Sequence, residues 1–361
     1  GEKHDGPASA RGRPPAAPRP AARLAAAVRR HPGRVLVLLA VVLVCVMLAS
    51  LALGRYPIGP ADVVGLLASR VTGSLGSLTA QQETLFFNVR LPRVLLAVLV
   101  GASLSAAGAA FQGIFQNPLV SPDFLGASQG AALGACVAIL AGAGSLAISG
   151  AAFVTSLLAV GIVLAVSGRA RGNRVLVTVL AGVMVKSLFE AGVSYTKLVA
   201  DPTNQLQAIT FWLLGSFNGA KVADLALAAP PIAVGLLGLM LMRWRLNVLT
   251  MPDDEALSMG VDAPRTRAVA VVLCSLVTAA SVSVSGLVGW VGLVVPHLAR
   301  GLVGSDMRHL LPASVLAGAA FTLAVDDIAR LATTSEIPIG ILTAVVGAPF
   351  FLWLIVRQGR R

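Results

Sequence analysis

The chain has 361 residues, 56% of them hydrophobic and only 12% charged, where a soluble domain carries about 25% charged. Together with a mean hydropathy of +0.84, this excludes a soluble enzyme, a disordered chain and a disulfide scaffold. The net charge of +12 would suit a nucleic-acid partner, but eight of the 28 Lys and Arg lie in residues 1–34, so no nucleic acid is expected.

In chain order, residues 1–34 read as a disordered basic cytoplasmic tail rich in Ala and Pro, and 35–361 as a single transmembrane domain. Residues 35–54 are twenty uncharged residues, the length that spans a bilayer. Further apolar runs follow near 94–114, 124–143, 148–168, 175–198, 222–242, 266–284, 286–304, 310–329 and 338–356. The expectation is an all-α polytopic membrane protein with about ten transmembrane helices. A β-barrel would instead show alternating segments of about ten residues. Small residues such as Gly101, Ala102, Ser103 and Gly108 let such helices approach closely. Cys45, Cys136 and Cys274 are widely spaced inside apolar runs, so neither a disulfide nor a metal site is indicated, and no cofactor is expected.

Ten spans with a cytoplasmic N-terminus put 20 Lys and Arg inside and 7 outside, leaving Lys186 within a span. The positive-inside rule therefore predicts a cell-membrane protein with both termini cytoplasmic. None of the four lysines follows a glycine, so the chain has no phosphate-binding loop with which to hydrolyse ATP. It shows no H-E-x-x-H and no G-x-S-x-G either, and no catalytic residue is assigned.

Four segments depart from lipid-facing filler. Arg90 and Arg93 lie three apart on one helical face at an outer helix end, as interfacial anchors or as a docking point for an acidic partner. Residues 112–126, with Asn117, Pro118, Leu119 and a second proline, form a turn that either joins two helices or gates a pathway. Residues 251–264 carry Asp253, Asp254, Glu255 and Asp262, a quarter of all acidic residues. Their centre, 253–259, predicts a short helix with acidic residues in its first turn and Gly260 as its C-terminal stop, suited to dock a soluble partner. In 325–340, Asp326, Asp327 and Arg330 sit near a membrane edge, where they should pair or face a cavity.

Taken together, these segments resemble the permease subunit of binding-protein-dependent ABC importers for iron-siderophores, haem and cobalamin. The matching stretches are RLPR at 90–93, Gly113 with NPL at 117–119, and LLGS at 213–216 after Phe211 and Trp212. The acidic ALSMG loop at 253–260, GLVVPHLAR at 292–300 and GSDMRHLLP at 304–312 follow in order. DIAR at 327–330, EIPIGILTA at 336–344 and GAPFFLWL at 347–354 complete the set. The resemblance implies a cobalamin-importer-like permease fold of ten helices that dimerises with itself or a close paralogue. Two cytoplasmic ATPase subunits would dock below and one external substrate-binding protein above. It further implies that Arg90, Arg93 and Arg330 dock the binding protein, and that Asn117, Pro118 and Leu119 belong to the cytoplasmic gate. Asp253, Asp254, Glu255, Ala256 and Gly260 would seat the ATPase. Pro252, where glycine is usual, and Leu257, where a basic residue is common, depart from the pattern.

Lys186 and Glu190 are not covered by these motifs. Lys186 lies eleven residues into its span, roughly 16 Å and so near the middle of the hydrocarbon core. Four apart, the two share a face, either as a self-neutralising pair or as polar lining for a charged substrate. Lys before Glu is the weaker order for such a pair, which favours partners elsewhere. The leading function is the membrane subunit of an ABC importer for a metal chelate, with iron-siderophore preferred and haem, cobalamin or an oxyanion as alternatives. An ion-coupled secondary transporter using Lys186 and Glu190 as a proton relay, or a membrane anchor without a pathway, are the other classes.

Overall fold

The structure is a computed structural model that describes residues 31–54, 56, 58–72, 79–169 and 174–358. Nearly all of the predicted tail lies outside the described residues, as do Arg55, Arg171 and the last three residues. Helix α1 (Pro32–Ala52) begins inside the predicted tail, because Pro32 occupies a first-turn position where its missing N–H costs nothing. Two short helices, α2 (Pro60–Thr72) and α3 (Ala80–Leu85), precede a π turn at Phe86–Arg90, which runs into α4 (Leu91–Ile114).

A 3-10 turn at Pro122–Leu125 leads into α5 (Ala127–Leu140), followed by α6 (Ser145–Arg169) and α7 (Arg174–Val199). A short helix α8 (Gln205–Leu214) precedes α9 (Val222–Val248) and the six-residue α10 (Asp253–Ser258). The chain closes with α11 (Ala263–Ser285), α12 (Val291–Val303), α13 (Met307–Leu331) and α14 (Ile339–Gln358). Every described element is helical, and each of the ten predicted runs contains one helix.

Among the described residues, seven helices are long and apolar enough to cross a membrane, while α5 and α12 are shorter, at 14 and 13 residues. The shortening has a local cause. Gly126 (φ 77) and Gly286 (φ 68) take left-handed conformations that stop a helix, so the runs at 124–143 and 286–304 start later than their hydropathy suggests. The structure thereby replaces two long spans with shorter helices entered through irregular backbone.

Helix α4 forms the centre of the bundle, buried over almost its whole length. A β-carbon on Gly101 would lie 2.3 Å from the Gly318 carbonyl oxygen of α13, and one on Gly108 would lie 1.7 Å from that of Gly292 in α12. Backbone therefore meets backbone at both crossings, the close approach that small residues permit where lipid supplies no hydrophobic drive. Around this centre, α1, α6, α7 and α9 have no more than a third of their apolar stretch buried. At one end of the bundle Ser216 N–H donates to Ser285 O (2.9 Å) and Ile339 N–H to Gly215 O (3.0 Å), joining the end of α8 to α11 and α14.

Candidate functional site

The charged residues gather at the two ends of the bundle and at one level between them. At the first end, the three arginines of the sequence motifs are buried, Arg90 at 5% exposure and Arg93 and Arg330 at 9% each. Arg93 makes two parallel bonds to Asp326, Nε to Oδ2 at 2.9 Å and Nη2 to Oδ1 at 2.8 Å. Its remaining Nη1 donates to both Glu336 carboxylate oxygens, at 3.0 and 3.1 Å. Arg330 donates to Asp327 through Nε (3.1 Å) and Nη2, and to the Ser50 carbonyl at 2.6 Å, while Ser50 Oγ donates to Asp327 at 2.7 Å.

Arg90 donates to the carbonyls of Leu51 (2.7 Å), Ala52 (3.0 Å) and Tyr56. Those at the end of α1 have no intrahelical partner, and a guanidinium with five donors satisfies several of them at once. The expectation that Asp326, Asp327 and Arg330 would pair is met. Their partners across the fold, Arg93 and Ser50, are not legible in the sequence, nor is Glu336 as the second partner of Arg93. The arginines expected to face a binding protein instead spend their donors within the chain, tying α1, α4, α13 and the segment before α14 together. Beside Glu336 opens a cavity of about 630 Å³, also lined by Asp224, Asn218 and Ser285.

At the opposite end lie the turn at 117–119 and α10. Asn117 Oδ1 accepts the Leu119 N–H at 2.9 Å, a side-chain turn that folds the exposed Asn117, Pro118 and Leu119 outward. The turn is held from inside by Gln112, whose Nε2 donates to Val120 O at 3.4 Å while its Oε1 accepts from Arg300 Nη2 at 3.0 Å. Neither Gln112 nor Arg300 was singled out from the sequence.

Helix α10 ends as the sequence predicts. Gly260 is left-handed (φ 78). Gly260 N–H donates to Leu257 O and Val261 N–H to Ala256 O, both at 2.9 Å, the pairing of a glycine-stopped helix end. Ala256 and Val261 are buried beneath it. Asp254 and Glu255 point to solvent, whereas Asp253 is bound by Arg267 Nη2 at 2.7 Å and Nη1 at 3.2 Å. That hydrogen bond holds the Asp253 carboxyl below its ordinary value. Close by, Asn247 bridges α9 to α13 through Asp306 (2.6 Å) and the Met307 N–H (2.7 Å). Hydrogen bonds, foremost from Arg308, keep the Asp306 carboxyl well below the usual carboxylate range.

Between the ends, Lys186 does not pair with Glu190. Its Nζ meets Asp123 Oδ2 at 3.1 Å, on the 3-10 turn just after 117–119. Asp123 also accepts the Ser128 N–H at 3.1 Å and so caps α5. The expectation of external partners holds for Lys186, and the self-neutralising pair is replaced by one between α7 and the turn. Asp123 lies within the 112–126 segment, but nothing local points it at Lys186, 63 residues away. Among the described residues no group of three or more His, Cys, Asp or Glu could hold a metal ion.

A bundle with a buried charged rim at one end, a side-chain-stabilised turn and an exposed acidic helix at the other, and an ion pair between them defines a helical membrane transport subunit. The chain belongs to the FecCD transport family, which matches residues 41–357. It is 44% identical over 273 residues to the "Probable iron chelatin transport system permease protein" of Helicobacter pylori, covering 76% of this chain and 82% of that one. It is 35% identical to the molybdate import system permease protein MolB of Haemophilus influenzae, over 89% of this chain and 95% of that one. Among solved structures, one described as an inward-facing metal-chelate-type ABC transporter superposes with a TM-score of 0.80 at 35% identity, covering 90% of this chain and 99% of that one. The chain is thus an ABC-type permease and not an enzyme, with ATP hydrolysis left to a separate subunit.

Proposed function

We propose that this chain is the membrane subunit of an importer that carries an iron-siderophore chelate into the cytoplasm. The observation that carries the reading is the likeness along nearly the whole chain to a metal-chelate-type transporter, joined to the 44% identity with an iron chelatin permease. In this reading all ten apolar helices cross the membrane and both termini are cytoplasmic. Two copies, or this chain and a paralogue, enclose the path.

The exposed Asp254 and Glu255 of α10 meet one ATPase subunit under each copy, with Asp253, Ala256 and Gly260 holding the helix in shape. Asn117, Pro118 and Leu119 form the cytoplasmic gate. Arg90, Arg93 and Arg330 serve docking of the external binding protein by fixing the rim on which it lands, because their own donors are engaged. Glu336, whose side chain is 26% exposed, is the charged group of the cluster most open to an arriving partner.

The test is uptake of radioiron-labelled siderophore into vesicles holding the chain with its ATPase and binding protein. ATP-dependent accumulation, absent without the ATPase, is expected. Uptake that follows an ion gradient without ATP would overturn the reading. Haem, cobalamin or molybdate accumulating in place of the siderophore would overturn the substrate.

A further inference from the structure

Helix α7 leaves much of its surface uncovered, and one line of residues along it changes character half-way. Leu176, Leu180, Val183, Ser187, Glu190 and Ser194 are spaced alternately four and three apart and therefore share a face. All six are exposed. The first three are apolar and the last three polar. The neighbouring line, Met184, Leu188, Tyr195 and Leu198, stays exposed and mostly apolar, as suits lipid or a packed partner.

The charges at this level do not cancel. Lys186 is neutralised by Asp123, and a β-carbon on Gly126 would lie 3.4 Å from Lys186 N, so the turn is seated directly on α7. Glu190 has no such counter-charge: among the described residues neither a hydrogen bond nor an ion pair reaches its carboxylate. The one side-chain bond it receives goes to its backbone carbonyl, from Ser194 Oγ at 3.0 Å. Lys197 is the next charge on this face, about 10 Å further along in the last turn of α7, at the end of the span. An unpaired carboxylate within a span faces water or a polar cavity rather than lipid.

We propose that the Ser187–Glu190–Ser194 face of α7 lines a water-filled part of the path, and that Glu190 makes it selective for a chelate of net positive charge. The wetted face follows from the polar line itself. That the passing solute is a chelate rests on the import reading above. A cation approaching this level meets the Glu190 field unopposed, because the nearest ammonium is already held by Asp123. A polyanionic chelate of the same size is repelled.

The experiment uses the full chain assembled in membrane vesicles, with Cys45→Ser to remove the exposed native thiol. Single cysteines are placed by Ser187→Cys and Ser194→Cys. Two thiol reagents of similar size are compared, the cationic trimethylammonium-ethyl and the anionic sulfonatoethyl methanethiosulfonate, each rate normalised to that with a free thiol. Both positions are expected to react, with the cation favoured by about tenfold or more over the anion. That preference should shrink as salt is raised. Glu190→Gln should bring the ratio near one and Glu190→Asp should keep it, while Leu188→Cys on the neighbouring line stays unreactive. No reaction at 187 and 194 would overturn the wetted face. A ratio near one in the parent, or one that Glu190→Gln leaves unchanged, would overturn the charge selection. None of these readouts requires transport, so a failed import reading would show in the uptake assay and not here.

Discussion

Arg93 and Asp326, 233 residues apart, meet through two parallel hydrogen bonds of 2.9 and 2.8 Å at one end of the bundle. The fork of a guanidinium matches the two oxygens of a carboxylate, so the contact fixes orientation as well as distance. Glu336 closes the third side, and Arg330, Asp327 and Ser50 form a second linked set beside it. Three helix ends are thereby held by charges that have left water and must stay paired.

Removing one partner strands the other in a poorly solvated site. Arg93→Ala should destabilise the chain by about 3–5 kcal/mol, and the paired change Arg93→Met with Asp326→Leu by clearly less than the sum of the singles. Thermal unfolding in detergent measures both. A paired loss equal to the sum of the two single losses would show that the ion pair is not the element being broken.

The helix crossings give a second prediction. Gly108→Ala puts a methyl where the Gly292 carbonyl stands, 1.7 Å away, so backbone must move. Overpacking of this kind costs about 1–3 kcal/mol or more. Gly161→Ala, with nothing within 4 Å, should be neutral or gain up to about 1 kcal/mol from helix propensity. Yield and thermal stability of the two variants should separate cleanly.

The acidic helix separates two kinds of carboxylate. Asp254→Lys with Glu255→Lys should abolish co-purification of the ATPase while leaving the permease folded, because reversed charge at an interface repels the partner. Asp253→Asn should instead loosen α10 on α11, seen as faster proteolysis near Arg267. The Asp253 carboxyl is held below its ordinary value by Arg267. Its contribution is therefore complete above the ordinary carboxylate range near pH 4 and is lost as pH falls through the lowered value. Proteolysis at this junction should be flat from about pH 5 to 8 and rise only in stronger acid.

The turn at 117–119 gives the last prediction. Gln112→Leu deprives Arg300 of its acceptor and Val120 of its donor. ATP hydrolysis should continue in the assembled transporter while uptake per ATP falls several-fold. Unchanged coupling would show that the turn Gln112 holds is not the proposed gate.

Much of this protein is written in local sequence. Apolar run length determined that the chain is helical and membrane-bound, and each run holds one helix. The acidic first turn and Gly260 marked α10 and its end, because capping acts within a few residues. Left-handed Gly126 and Gly286 cut two apparent spans short, which hydropathy averaged over a window does not register. Tertiary structure alone decided the long-range pairings. Charge sign told that Asp326, Asp327 and Lys186 needed partners, and Asp327 has Arg330 one helical turn away. Arg93 and Asp123 became the partners of Asp326 and Lys186 only when Gly101 met Gly318 and Gly126 met Lys186. Periodicity along one helix carries no information about which other helix lies beside it. That choice is made by close packing between segments far apart in the chain.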